Sequence, residues 1–388
     1  MDSIENKWAP LEVEAGSSEK IWTKSRSFGQ DTWFRFRKKT AALISLCVLV
    51  LIVLFAVIGP NFTSYSYSAQ RLEVANISPR LTITVLDEYD NYFYITQGMK
   101  LIEVSPEGEL VRQIPKIADD YGAKVTTFDY GDGKVITLDY SEMPIALQNS
   151  GGDRVLTSKT VWNKSYVLGT DHLGRDILTR LMYGCRISML IAFVATLVNL
   201  ITGTIYGGLS GYFGGRIDSI MMRIVDIIST IPLTLYVILI KVALNNSGLS
   251  SMIIALTSVY WVVMARVVRG QVLSLKAQEF VTASRTVGTG AGEILMRHLV
   301  PNAMGPILVT ATMQIPSAIF TEAFMSYIGI GIAPPMASLG TMCNDATEAL
   351  RSNPYQLFIP ALMICILMLA FNFLGDGLRD ALDPKLKK

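Results

Sequence analysis

Residues 278–306 read QEFVTASRTVGTGAGEILMRHLVPNAMGP, a polar, glycine-punctuated stretch between two long apolar segments. Residues 277–287 suit a short amphipathic helix with Phe280, Val281, Ser284 and Val287 near one face. Gly288 stands where a left-handed helix stop is wanted, and a second helix begins near Thr289. Flanking membrane segments make this a loop presented to one aqueous phase. Two readings fit the pattern: a handle gripped by another protein, or a connector whose apolar face rests on the membrane surface.

The composition supports the membrane setting. Of 388 residues, 51% are hydrophobic and 17% charged, with a mean hydropathy of +0.39, a balance that belongs to membrane proteins. A net charge of +2 points to neither nucleic acid nor an acidic partner. Cys47, Cys185, Cys343 and Cys365 occur singly, a pattern without metal spacing or a disulfide framework.

Working outward, apolar runs of about the ~20 residues needed to cross a bilayer lie near residues 40–59, 187–207, 217–244, 251–268, 307–328 and 355–374. The expected fold is an all-α polytopic membrane protein with about six transmembrane helices. The basic WFRFRKK before the first run and the basic tail after the last place both termini in the cytoplasm. Trp33, Phe34 and Phe36 then form an interfacial aromatic belt. The leading polar region is too long for a cleaved signal peptide.

The organisation expected is a cytoplasmic segment at 1–39, a first span at 40–59, a domain at 60–167, and a core at 168–388 with five spans and a loop at 277–301. The domain differs in texture. Alternating stretches such as RLTITVLDEY and KVITLDY, with a hairpin signal at YGDG over 130–133, make it a small β-rich domain between spans 1 and 2. With a cytoplasmic N-terminus it lies outside the cell. Asp119, Asp120, Asp129 and Asp132 read as turn residues, since their spacing does not fit an EF-hand loop.

Few polar residues fall inside the spans. His172 lacks convergent partners and reads as a capping or solvated side chain. Arg223 and Asp226, three apart on one helical face, can pair near the inner end of the third span, and Pro232 kinks its interior. Glu322 in the fifth span is either functional or reaches the interface. Residues 329–353 carry enough apolar character to dip back into the membrane. No G-x-x-x-x-G-K-[ST] phosphate loop occurs, and GTGAG at 288–292 is too short for a dinucleotide fingerprint. Without a nucleophile, base and metal cluster an enzyme is not indicated, so active transport would draw on an ion gradient or a partner.

TASRTVG at 282–288, followed after nine residues by HLVP at 298–301, resembles the E-A-A-x-x-x-G-x(9)-I-x-L-P signature of ABC importer permeases. Ala283, Gly288 and Pro301 match directly, whereas Thr282 replaces Glu, Ser284 replaces Ala, His298 takes the Ile position and Val300 replaces Leu. DTWFRFRKKTAALISL, GTDHLGRDILTRLMYGCRISM, GYFGGRIDSIMMRIVDIISTIP, TEAFMSYIGIGIAPPMASLGTM and GDGLRDALDP look like the second permease subunit of the dipeptide, oligopeptide and nickel branch. The domain at 60–167 is a departure from members with a short loop there.

The resemblance implies a plasma-membrane permease importing peptides by alternating access. It implies a homologous permease, two ABC ATPase subunits and an extracellular substrate-binding protein as partners, with ATP and Mg bound by the ATPases and no cofactor on this chain. ATPase coupling falls to Glu279, Thr282, Ala283, Ser284, Arg285, Gly288, His298 and Pro301, and the translocation pathway to Ser229, Pro232, Glu322 and Ser326. The alternative is a membrane-anchored sensor or docking protein that works through its extracellular domain.

Overall fold

A computed structural model describes residues 28–86, 91–148, 152–245 and 248–382; the expectations for residues 1–27 and for the basic tail at 383–388 lie outside them. Helix α1 (Phe28–Lys38) meets α2 (Thr40–Val57) at Lys39, whose extended backbone breaks the two apart. Phe36 does not join an aromatic belt. It is buried against Ala42 and Ala381 with the Trp33 ring stacked on it at 5.8 Å between centres, while Trp33 and Phe34 remain exposed.

Two five-stranded sheets follow, every pairing antiparallel. The first holds β1 (Arg80–Leu86), β2 (Asn91–Ile95), β3 (Leu101–Val104), β4 (Leu110–Ile114) and β10 (Ser158–Trp162). The second holds β5 (Lys116–Asp120), β6 (Val125–Gly131), β7 (Lys134–Asp139), β8 (Ala146–Gln148) and β9 (Arg154–Val155). Phe93, Leu101 and Ile114 of the first pack with Phe128, Ile136 and Leu147 of the second in one core. The hairpin expected at 130–133 joins β6 to β7, with Asp132 (φ 52°) and Gly133 (φ 74°) both left-handed as a tight primed turn needs. Asp120 and Asp129 accept hydrogen bonds from the backbone of Gly122 and Gly131, the turn role expected of them.

The helical part comprises α3 (Ile177–Phe213), α4 (Gly215–Thr230), α5 (Leu233–Leu244), α6 (Leu249–Lys276), α7 (Glu279–Thr286), α8 (Ala291–Glu293), a π turn at Ile294–Leu299, α9 (Val300–Tyr327), α10 (Leu339–Asp345) and α11 (Tyr355–Leu382). Among the described residues five helices are long and apolar enough to cross a membrane, and up to six if the bent pair α4–α5 is one span. That pair corrects the expected third span. The helices meet at 88°, because Ile231 and Pro232 are extended and Pro232 caps α5 rather than kinking a continuous helix.

The chain between the second and third apolar runs stays helical as far as Phe213. Only Gly214 (φ 68°) and Gly215 (φ 55°) turn the chain, while Gly203, Gly207 and Gly211 lie one above another on α3. They face α6, and a Cβ built on Gly207 would stand 2.2 Å from the Ala265 carbonyl oxygen. Missing side chains let the two backbones touch, the main route to tight packing where lipid removes the hydrophobic drive between helices.

The β-rich domain sits on the opposite end of the bundle from α7. The Tyr355 hydroxyl donates to the Ile77 carbonyl at 3.0 Å, and the Gln356 amide donates to Asn76 Oδ1 at 2.9 Å and the Thr170 carbonyl at 3.0 Å.

Gly207→Ala should overpack the α3–α6 seam and cost about 1–3 kcal/mol. Gly270→Ala, on the same α6 but with open space around it, should stabilise by up to about 1 kcal/mol. Thermal melts of the purified variants in detergent check the opposite signs.

Candidate functional site

Helix α7 projects from the end of the bundle and is seated by one side chain. Val281 is fully buried among Met264, Val268, Val272, Ile294, Leu295 and Leu299, which come from α6 and the π turn. The rest of the expected apolar face is not covered: Phe280 is 38% and Val287 85% exposed. Thr282, Ala283, Arg285 and Gly288 are exposed as well, so the helix shows most of its surface to water.

Its far end is locked. Thr289 N–H donates to the Ser284 carbonyl at 3.1 Å and Gly288 N–H to the Arg285 carbonyl at 2.9 Å. With Gly288 at φ 85° this is a complete Schellman stop, as the sequence indicated. Three residues later the chain re-enters helix and runs through the π turn, containing His298, into α9, whose first turn contains Pro301. The wider turn falls where Pro301 supplies no N–H and its ring needs room.

Charge adds to this hold. The Arg285 guanidinium lies 5.4 Å from the Tyr212 ring centre, and Lys276, at the end of α6, lies over the same ring and donates to the Tyr212 carbonyl. Two turns back, Arg269 Nε and Nη2 donate to Asp218 Oδ1 at 2.5 Å and Oδ2 at 2.6 Å, and Ser210 donates to the same carboxylate. This bidentate pair joins α3, α4 and α6 directly behind α7. The pair expected between Arg223 and Asp226 is replaced. Arg266 Nη2 donates to Asp226 Oδ1 and to Ser229 Oγ at 3.0 Å each, across the gap between α4 and α6.

The four expected pathway residues do not come together. Ser229 and Pro232 are exposed at the α4–α5 break, whereas Glu322 and Ser326 are buried on α9. Glu322, at 0% exposure, does not reach an interface. Ser188 Oγ of α3 donates to its Oε2 at 2.7 Å, Ser326 Oγ donates to its Oε1 at 2.8 Å, and Leu339 N–H at the start of α10 donates to Ser188 at 3.3 Å.

The other end of α10 is pinned by a charge cluster the sequence reading missed. Arg175 Nε and Arg180 Nη1 donate to Asp171 Oδ2 at 2.7 and 2.5 Å, and both guanidiniums donate to Asp345 Oδ2 at 2.7 and 2.8 Å. Burial alone would raise the Asp171 carboxyl; the charges of Arg180 and Arg175 outweigh it and hold the group below the usual carboxylate range. His172 beside it caps nothing: it is half-buried, and its Nδ1 meets no partner among the described residues. Among the described residues no three His, Cys, Asp or Glu side chains are placed to hold a metal.

Residues 203–388 match the family described as binding-protein-dependent transport system inner membrane component, and residues 27–79 match the N-terminal TM domain of oligopeptide transport permease C. The oligopeptide transport system permease protein OppC of Bacillus subtilis (strain 168) is 40% identical over 383 residues, which is 99% of this chain and 98% of that protein. The chain belongs to the oligopeptide and dipeptide ABC permease family. The dipeptide transport system permease protein DppC of the same organism is 36% identical over 389 residues, covering 100% of this chain and 95% of its own. OppC of Escherichia coli (strain K12) is 32% identical over 368 residues, 95% of each chain. These relatives are permease subunits, not enzymes.

For a permease of this family, the sequence signature located the projecting loop but not what fixes it. Tyr212, Asp218 and Arg269 gave no signal because each is an ordinary residue until α3, α4 and α6 converge. The charges of GTDHLGRDILTR did carry one: two aspartates and two arginines within ten residues beside a span need mutual partners.

Asp345→Asn leaves two buried guanidiniums facing one carboxylate and should cost about 3 kcal/mol, read as a lower melting temperature of the purified protein. Asp171 titrates lower when folded than unfolded, so its stabilisation is present above the ordinary carboxylate range and fades as pH falls through the folded value. Acid-range melts should show this loss, and Asp171→Asn should remove that part of the pH dependence.

Proposed function

We infer that this chain is the transmembrane permease subunit of an ATP-driven importer of peptides, and that α7 is its contact with the ATPases. One observation carries the reading: a short helix between two spans is capped at Gly288, seated by the buried Val281, and leaves Phe280 and Val287 uncovered. An exposed apolar face on a fixed helix suits a cleft in a partner protein. The names of the similar permeases supply the solute class and the importer setting. A second, homologous permease completes the pathway, two ATPase subunits bind ATP and Mg and grip the loops at 277–301, and an extracellular binding protein delivers the peptide.

In this reading the chain is a multi-pass plasma-membrane protein with both termini in the cytoplasm, so the domain at 60–167 faces outward and the core spans 168–388. The signature positions Glu279, Thr282, Ala283, Ser284 and Arg285 make the ATPase contact, Gly288 fixes its angle, and His298 and Pro301 pass displacement into α9. Ser229 and Pro232, at the one sharp break in a span, face the pathway. Glu322 and Ser326 serve it indirectly by holding α10. The sensor or docking alternative loses its support with family membership, and the β-rich domain becomes a docking or gating element for the binding protein or partner permease.

Gly288→Val tests the lever. No atom lies within 4 Å of a Cβ at Gly288, so the substitution acts through its φ of 85°, at about 1–2 kcal/mol of backbone strain. Assembly with the ATPases should survive while uptake per ATP hydrolysed falls in membrane vesicles. Normal coupled uptake would rule the lever out.

A further inference from the structure

At the end of the bundle that carries α1, helices α2 and α11 enclose a groove of about 350 Å³ lined by Ala41, Ile44, Ser45, Val48, Ile366 and Leu369, with Ala370 and Phe373 at its floor and rim. The helices touch at its closed end, where a Cβ on Gly377 would stand 2.2 Å from Ala42 Cβ, and then leave a gap. Its lone polar side chain is already satisfied, since Ser45 Oγ donates to the Ala42 carbonyl at 2.8 Å. Nothing in the groove offers water a partner, so an apolar chain is the occupant it suits.

The surface beyond that closed end has a different character. Helix α1 lies beside it as an amphipathic segment with Trp33 and Phe34 exposed, the side chains that settle at the headgroup level of a bilayer. Arg35 is neutralised by Asp31 at 2.7 Å and Lys39 by Asp380 at 2.8 Å. Arg37 and Lys38 are exposed, have no ion pair among the described residues, and stand within four residues of Ala41. Cations beyond the closed end of a dry groove at the membrane boundary are complementary to one amphiphile: an acidic headgroup on a hydrocarbon chain.

We propose that the α1–α2–α11 groove is a binding site for an anionic glycerophospholipid, with an acyl chain along Ile44, Val48 and Leu369 and the headgroup phosphate at Arg37 and Lys38. The site does not depend on which solute the permease carries. It gives α1 a task beyond lying on the membrane: a bound lipid bridges α1 to the first and last spans.

The full-length chain, purified in mild detergent, is titrated with phosphatidylglycerol and with phosphatidylcholine of the same acyl chains, and bound lipid is counted by native mass spectrometry. Phosphatidylglycerol should bind more tightly. Arg37→Gln with Lys38→Gln should weaken it about thirtyfold and leave phosphatidylcholine unchanged. Leu369→Trp, which fills an exposed part of the groove, should lower binding of both. Each variant is compared only after its melting curve matches the parent. Equal binding of the two lipids, or a headgroup preference that survives the double substitution, overturns the proposal. So does tight binding retained by Leu369→Trp. Ile44→Cys that cross-links to a co-expressed permease, rather than to a photoactivatable phosphatidylglycerol, assigns the groove to that subunit and also overturns it.

Discussion

The approach of α3 to α6 along Gly203, Gly207 and Gly211 is the constraint on which the rest of the helical structure depends. In lipid, apolar side chains gain little by leaving one greasy surface for another, so close backbone contact and polar links have to hold the spans together. The glycine seam supplies the first and positions the second. Once Gly211 lies against Arg269, that arginine is within reach of Asp218 on α4, and Tyr212 is presented to Lys276 and Arg285. The loop end of the molecule is therefore built by register: one seam sets where every charge behind α7 falls.

The opposite end uses a different device. Helix α10 is too short to be stable alone, yet it is fixed at both termini, by Ser188 and Glu322 at Leu339 and by Arg175 and Arg180 at Asp345. All four of those partners lie on, or next to, α3 and α9, the helices that also reach α7. The β-rich domain adds its own hydrogen bonds through Asn76 and the Ile77 carbonyl to the start of α11. A buried carboxyl group such as Glu322 is tolerated in a span because α3 and α9 bring it the hydroxyl donors Ser188 and Ser326, with the Leu339 N–H of α10 donating to Ser188, and not because it lies near water.

How much of this was legible follows from what each feature requires. Spans need only length and hydropathy, so α2, α6, α9 and α11 lie where composition placed them, although each of the last three runs beyond the apolar stretch. Gly288 was readable because a left-handed stop after a short amphipathic helix is a local event. Glycines on α3 gave no such signal, since glycine spacing alone does not say whether missing side chains serve a bend or a neighbour's backbone. Pairing failed for the same reason. Arg223 and Asp226 share a helical face, but Arg266 arrives from a helix forty residues away and takes the aspartate. The apolar face of α7 also differed in use: periodicity showed that Phe280, Val281 and Val287 belong together, and only the packing shows that two of them are left uncovered.

That division bears on how a push at α7 would travel. Val281 and the Schellman stop tie α7 to the π turn and α9, and the Tyr212 stack ties it to α3, so α7, α9 and the α3–α6 pair share one set of contacts. The clamps on α10 extend the same body to the far end. Helix α5 packs on the same body, with Val237 buried beside Ile191 and Ala195 of α3 and Met252 and Leu256 of α6, and it is joined to α4 by two extended residues at 88°. Packed cores shift as units whereas breaks between helices absorb angle changes. If the ATPases move α7, the bundle should therefore follow as one piece with α5 on it, and Ile231 and Pro232 are where a change of angle between α4 and α5 would be absorbed.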